Sequence, residues 1–344
     1  MRKLSVITDP TFEKKEYGSL DKFWLAKIRD ERDLPFVYLT LRITFVMLPL
    51  GILLYLPFVQ GWIWWVVALF YFYFNNFVFK GPFGLMLHCT SHRPWFKSEY
   101  NWANFYLPWV ISPFFGQTPE TYATHHLGMH HRENNLEEDK STTMHYQRDN
   151  LKDFLKYFLD FFFLGAIRTS HYFHRKKRKK LRNRIIRGEL AFLVLCVGLG
   201  FVNWQATIWV FVVPFILSRL VMMMGNWSQH SFLDRDDPGN LYTNSITCIN
   251  TKYNHKCWND GYHISHHIRP SLHWTLHPDH LRTNLEEYEK NQSLVFEGID
   301  FLGVWIHLMR KNYKKLADHL VNINGMFSDE QQAIILMKQR TAKV

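Results

Sequence analysis

The chain has no means of stapling itself covalently. Its four cysteines (Cys89, Cys196, Cys248, Cys257) form neither a CxxC pair nor a disulfide framework. It has no low-complexity tract, and it carries 29 Phe, 16 Tyr and 13 Trp, which excludes a disordered chain. No HExxH is present, so a zincin protease is unsupported. No glycine-rich nucleotide loop occurs either. A cleavable signal is not expected, because the first apolar run starts late and is too long for an h-region.

What is there is segregated. The averages are unremarkable: 47% hydrophobic, 21% charged and a formal charge of +11. In a soluble protein that charge would raise nucleic acid as a partner. Here the charges are bunched between long apolar runs, and no nucleic-acid partner is expected. The runs cover about 36–58 (interrupted by Arg42), 62–79 (without charge), 188–204 and 206–225 (containing Arg219). At about 1.5 Å per residue, runs of about 20 residues cross about 30 Å of hydrocarbon. The third gains length if Asn203, Trp204 and Gln205 sit at the interface. Only a handful of uncharged residues separates one from two and three from four, so each pair is expected to be a tight helical hairpin. Lys and Arg avoid both tips and crowd residues 1–35, 80–187 and the chain after 230. That bias puts both termini and the connecting regions on the cytoplasmic side. A soluble protein with two buried hairpins is the weaker alternative, since soluble helices carry polar faces.

Two further stretches look interfacial. Leu151, Phe154, Leu155, Phe158, Leu159 and Phe162 recur at helical spacing among Lys152, Asp153, Lys156 and Asp160, the pattern of a helix lying on the membrane plane. Residues 102–115, with Pro108 and Pro113, are too short to span.

All 19 histidines lie between positions 88 and 319, outside the middle of every expected span. They cluster as His88/His92, as His125, His126, His130 and His131, and as His263, His266 and His267, with His230 following the fourth span. Pairs at i,i+3 or i,i+4 share a helix face. Adjacent His130 and His131 splay by about 100°. Imidazole suits iron, zinc, copper and nickel, and eight or nine rings exceed what one ion takes, so two ions are implied. Haem ligation would need histidines inside the spans. The fold expected is an all-α integral membrane protein: four transmembrane helices in two hairpins, with a cytoplasmic helical cap carrying a di-metal site. Residues 1–35 form a cytoplasmic N-terminal segment, 36–285 the membrane domain and 286–344 a cytoplasmic tail.

At the level of HxxxH, HxxxHH and HxxHH in this order, with the second hairpin between the last two, residues 36–285 resemble the membrane fatty acid desaturase and hydroxylase superfamily. The third box reads NDGYHISHH, with Asn259, Asp260 and Gly261 before it. The resemblance implies two irons in an all-imidazole shell, using O2 and two electrons to attack an unactivated C–H bond. It implies His88, His92, His126, His130, His131, His230, His263, His266 and His267 as ligands, with Asn226 reaching the metal through water. The second box departs from many acyl-CoA desaturases by one extra residue. That leaves His125 and His126 as alternatives. His126, four before His130, is favoured, and His125 would then be a hydrogen-bond partner. HHLGMHHRENN is also similar to membrane alkane hydroxylases and to decarboxylases that make terminal alkenes.

The first expectation is therefore a fatty acid desaturase acting on a fatty acyl chain or lipid. Hydroxylation or decarboxylation on the same scaffold is the alternative, and a metal transporter or receptor is the rival of another class. Transport is disfavoured because the spans offer only Arg42 and Arg219. Those two either snorkel to the interface or bind a head group. Metal-bound histidines need a carboxylate or carbonyl on the other ring nitrogen; Glu133, Glu137, Glu138, Asp139 and Asp260 lie near enough in sequence. His255, His273, His277 and His280 are expected to be structural. The run containing Arg175, Lys176, Lys177 and Arg178 anchors anionic lipid or cradles the phosphates of an acyl carrier such as CoA. No cytochrome b5-type HPGG is present, so electrons are expected from a separate ferredoxin or cytochrome.

Overall fold

The computed structural model describes residues 1–344 and is 65% helix. Four helices are long and apolar enough to cross a membrane: α1 (Glu31–Leu53), α2 (Gly61–His92), α4 (Lys179–Val202) and α5 (Trp204–Gln229). Between the pairs lies α3 (Leu151–Arg175). The helices overrun the apolar runs that announce them. α2 has 32 residues and continues past Phe79 to His92. Hydropathy marks the part that suits hydrocarbon, while the backbone ladder continues as long as nothing interrupts it.

The apolar faces point outward. Phe45, Trp62, Leu69, Phe70 and Phe77 of α1 and α2 are exposed, as are Leu193, Val194, Phe201 and Val202 of α4. Only 17% of α4's apolar window is buried. In water such a surface would be an aggregation liability; in a bilayer it is the proper exterior. α3 has two apolar faces. Phe154, Tyr157 and Phe161 are buried, while Leu155, Leu159 and Phe163 stay exposed.

Two compact units divide the chain. The first comprises 13–126 and 166–220. Several of its interior polar side chains hydrogen-bond the backbone. Tyr71 is fully buried, and its hydroxyl hydrogen-bonds the carbonyls of Val210 (2.9 Å) and Phe114 (3.1 Å). Asn75 donates to the same Phe114 carbonyl at 2.8 Å, from a widened turn of α2 at Phe74–Phe79. Both donors satisfy the Phe114 carbonyl of 107–115, short helical turns that bury Leu107, Ile111 and Phe115. The connectors meet: Trp64 Nε1 donates to Leu54 O (3.0 Å), and the Tyr55 and Thr207 hydroxyls are 2.8 Å apart. α5 is capped by Asn203, whose side chain accepts from Ala206 N at 3.0 Å.

The second unit comprises 1–12, 127–165 and 221–344. It departs from an all-helical plan in one place. β1 (Thr247–Ile249) pairs in parallel with β2 (Val295–Glu297), Cys248 opposite Phe296. All six residues are buried, so no alternating pattern reveals them. Around them pack α7 (Phe301–Met309), α8 (Tyr313–His319) and α9 (Glu330–Arg340), following α6 (His263–Ile268) in the chain. Arg148 is fully buried. It donates to the carbonyls of Ser231 (3.0 Å), Arg340 (3.0 Å) and Ala342 (2.6 Å), with longer bonds to Thr143, Met144 and Tyr146. Burial lowers its pKa to about 10.

Candidate metal centre

α6 presents His263, His266 and His267 from one short helix. The turn before it fixes its position. Gly261 lies so close to β1 that a Cβ there would stand 2.3 Å from Cys248 O and 2.4 Å from Asn254 Oδ1, so only glycine fits. Asn259 donates to the carbonyls of Pro10 (2.7 Å) and Trp274 (2.9 Å). Tyr262 donates to Asp9 at 2.7 Å, and Asp9 also accepts from Asn250 N at 2.7 Å. The NDGY residues thus hold the helix down.

Within this unit four imidazoles converge. The nitrogens of His130, His230, His263 and His267 all lie within 4.8 Å of one another, and all four rings are buried. His263 Nε2 is 3.0 Å from His267 Nε2 and 3.3 Å from His230 Nε2. Burial, reinforced by the neighbouring His130, pushes the His230 pKa down to about 3. Burial and then His263 push His267 well below its ordinary value. Neutral rings with lone pairs aimed at one point are what a cation requires. His131 stands beside the group, its ring 4.6 Å from His266 and 5.0 Å from His267, centroid to centroid.

In the other unit, His88 and His92 extend from the last turns of α2, and His126 joins them. His126 Nε2 is 3.0 Å from His92 Nε2, and the His88 and His126 centroids are 4.5 Å apart. His126, not His125, is the residue in this group.

The second ring nitrogens are accounted for at two of these imidazoles. His130 Nδ1 donates to Asp139 Oδ2 at 2.7 Å. Asp139 is buried, and its other oxygen accepts from Ser141 N (2.8 Å) and Ser141 Oγ (2.7 Å). His230 Nδ1 donates to Asn244, at 2.8 Å to its carbonyl and 2.9 Å to its side chain. Each fixes the tautomer in which Nε2 carries no proton. Asp139 is one of five carboxylates the sequence offered, whereas nothing in the spacing points to Asn244. Thr143 donates to His230 O at 2.8 Å.

The remaining expected residues stand as follows. Asn226 donates to Ser141 O (3.0 Å) and to the Tyr157 hydroxyl (2.7 Å). Asp260 accepts from Tyr253 (2.6 Å) and Gln229 (3.3 Å). His277 Nδ1 lies 2.7 Å from Ser265 Oγ, beside α6. Arg175, Lys176, Lys177 and Arg178 run from the end of α3 into the turn before α4, the first three exposed. Lys176 lies over the Tyr172 ring at 5.5 Å.

His130, His230, His263 and His267 fit a transition-metal ion: four buried nitrogen donors, two of them held in orientation, and no thiolate. A family model described as fatty acid desaturase matches residues 77–298, more than half of the chain and a span that includes every imidazole named above. No curated protein and no solved structure matches.

Proposed function

The chain belongs to the fatty acid desaturase family, and from that premise we propose that it is a membrane-bound di-iron desaturase that introduces a C=C bond into a fatty acyl chain. The observation that carries this reading is the four-imidazole group of His130, His230, His263 and His267. A purely structural histidine would make one or two hydrogen bonds to other groups; four rings turning nitrogens toward each other are placed as the ligands of a cation would be. These four would hold one iron, and the family resemblance implies His88, His92, His126, His131 and His266 as the remaining ligands. Bound iron would supply activation of O2 for abstraction of hydrogen from an unactivated carbon.

The chain's own part is to hold, orient and exclude water. Asp139 and Asn244 keep His130 and His230 in the ligating tautomer. Tyr157 and Asn226 tie α3 to the last turn of α5 at 2.7 Å. α1 with α2, and α4 with α5, form two hairpins whose tips lie together, a reading supported by the Tyr55–Thr207 contact. With Lys and Arg absent from those tips, the termini and the imidazoles face the cytoplasm. A separate ferredoxin or cytochrome delivers the electrons there, and the basic turn at 175–178 anchors anionic lipid.

The test is product analysis by mass spectrometry after expression with saturated fatty acids, wild type beside His266→Ala. Products lighter by two hydrogens from the wild type alone are expected. An alcohol, or a chain one carbon shorter, would overturn desaturation in favour of the other chemistries of this scaffold.

A further inference from the structure

Two cations lie inside the membrane-length helices of the first unit, Arg219 beside a carboxylate and Lys80 without one. Arg219 of α5 is 7% exposed. Its Nη2 is 3.5 Å from Glu189 Oε2 of α4, its Nε has no partner, and its guanidinium sits 4.1 Å from the Phe215 ring centroid. Glu189 is already engaged, accepting from the Thr118 hydroxyl at 2.6 Å and the Thr121 hydroxyl at 3.0 Å. Lys80 of α2 has no carboxylate at all. Its Nζ donates to Ser218 Oγ at 2.6 Å, and Ser218, buried, passes its own proton to Phe115 O. Two of the three ammonium protons are therefore unspent. A net positive charge buried in this way is costly, and ionisable groups within spans mark functional sites.

We propose that Lys80, hydrogen-bonded to Ser218, binds the carboxylate of a free fatty acid. An anion of one charge neutralises the lysine, whose open protons are donors for its oxygens. The surroundings favour a head that carries a hydrocarbon chain. Phe83 stacks on Phe115 at 4.3 Å and Phe192 on Phe215 at 5.4 Å, walls that suit methylenes and not a hydrated phosphate. Lys80 is eight residues before His88 on the continuous helix α2, about 12 Å along its axis. A chain anchored at Lys80 and following α2 would meet the metal centre at an interior methylene, far from its carboxyl carbon. The site thus sets where along the chain oxidation falls, and it disfavours loss of the carboxyl group. This inference rests on the acyl-chain reading above and adds to it that the substrate enters as the free acid.

The experiment measures binding, which needs no turnover. Radiolabelled palmitic acid and hexadecanol are titrated at pH 8 against the full-length purified protein, as wild type, Lys80→Met and Lys80→Arg. The wild type should prefer the acid by about 10-fold, the worth of one charge-assisted hydrogen bond. Lys80→Met should lose that preference with hexadecanol binding unchanged, and Lys80→Arg should keep it. Because Lys80→Met removes an uncompensated charge, its melting temperature should not fall. Equal binding of acid and alcohol by the wild type, which requires no variant, would overturn the proposal. So would a preference that survives in Lys80→Met. Displacement of palmitate by phosphatidylglycerol at equal concentration would reassign the site to a resident lipid phosphate and overturn it too. An active desaturase without acid preference fails this inference alone; an acid-selective protein without unsaturated product fails the functional reading alone.

Discussion

Replacing Asp139 by Asn keeps the shape of the side chain and inverts one hydrogen bond. Asp139 Oδ1 is held by two donors, the backbone N–H and the hydroxyl of Ser141, at 2.8 and 2.7 Å. An asparagine must therefore keep its oxygen on that side and turn its NH2 toward His130 Nδ1. Two donors then face each other at 2.7 Å unless the imidazole moves its proton to Nε2. That tautomer has no lone pair for a metal. Loss of such a partner typically costs 10–100-fold in metal affinity, or about 1.4–2.7 kcal/mol. The assay is iron content per chain by elemental mass spectrometry after dialysis against graded chelator, with product yield measured in parallel. Asp139→Asn should release iron at a chelator concentration 10–100-fold lower than wild type, while its melting temperature without metal changes little. Iron retention indistinguishable from wild type, in a variant that folds, would refute the tautomer reasoning.

Two other outcomes follow from packing. Arg148→Met should lower the melting temperature by about 8–16 °C, since losing one partner of a buried charged network costs about 4 kcal/mol and this unit has about 175 residues; a thermal shift under 2 °C would show that the carbonyls it serves find other donors. Gly188→Ala should destabilise the hydrophobic helix α4 severely, because the added Cβ would stand 1.7 Å from Pro119 O, and its yield of folded, monodisperse protein in detergent should collapse relative to Gly198→Ala, where nothing lies within 4 Å.

The parts of this molecule written in sequence are those with a period or a long run. Four apolar stretches announced the four membrane-length helices, because hydrocarbon demands apolar residues on nearly every face. Histidines at i,i+3 and i,i+4 announced the imidazole groups, because a helix brings those positions to one side. The spacing favoured His126, four residues before His130, over His125, and it is the His126 ring that stands beside His88 and His92. β1 and β2, three residues each and wholly buried, were not legible. Asn244 reaches His230 from a loop 14 residues away, and no spacing rule links such positions. Arg219 was visible as a charge within a span; its partner Glu189, and the Thr118 and Thr121 hydroxyls that donate to Glu189, come from two distant segments that only folding joins.

Arg148 ties the chain around His230 to residues made 192 and 194 positions later. At about 5–20 residues per second, the ribosome needs roughly 10–40 s to supply them. During that interval the guanidinium lacks the Arg340 and Ala342 carbonyls, so this part of the packing beside His230 is completed only after those residues have been made.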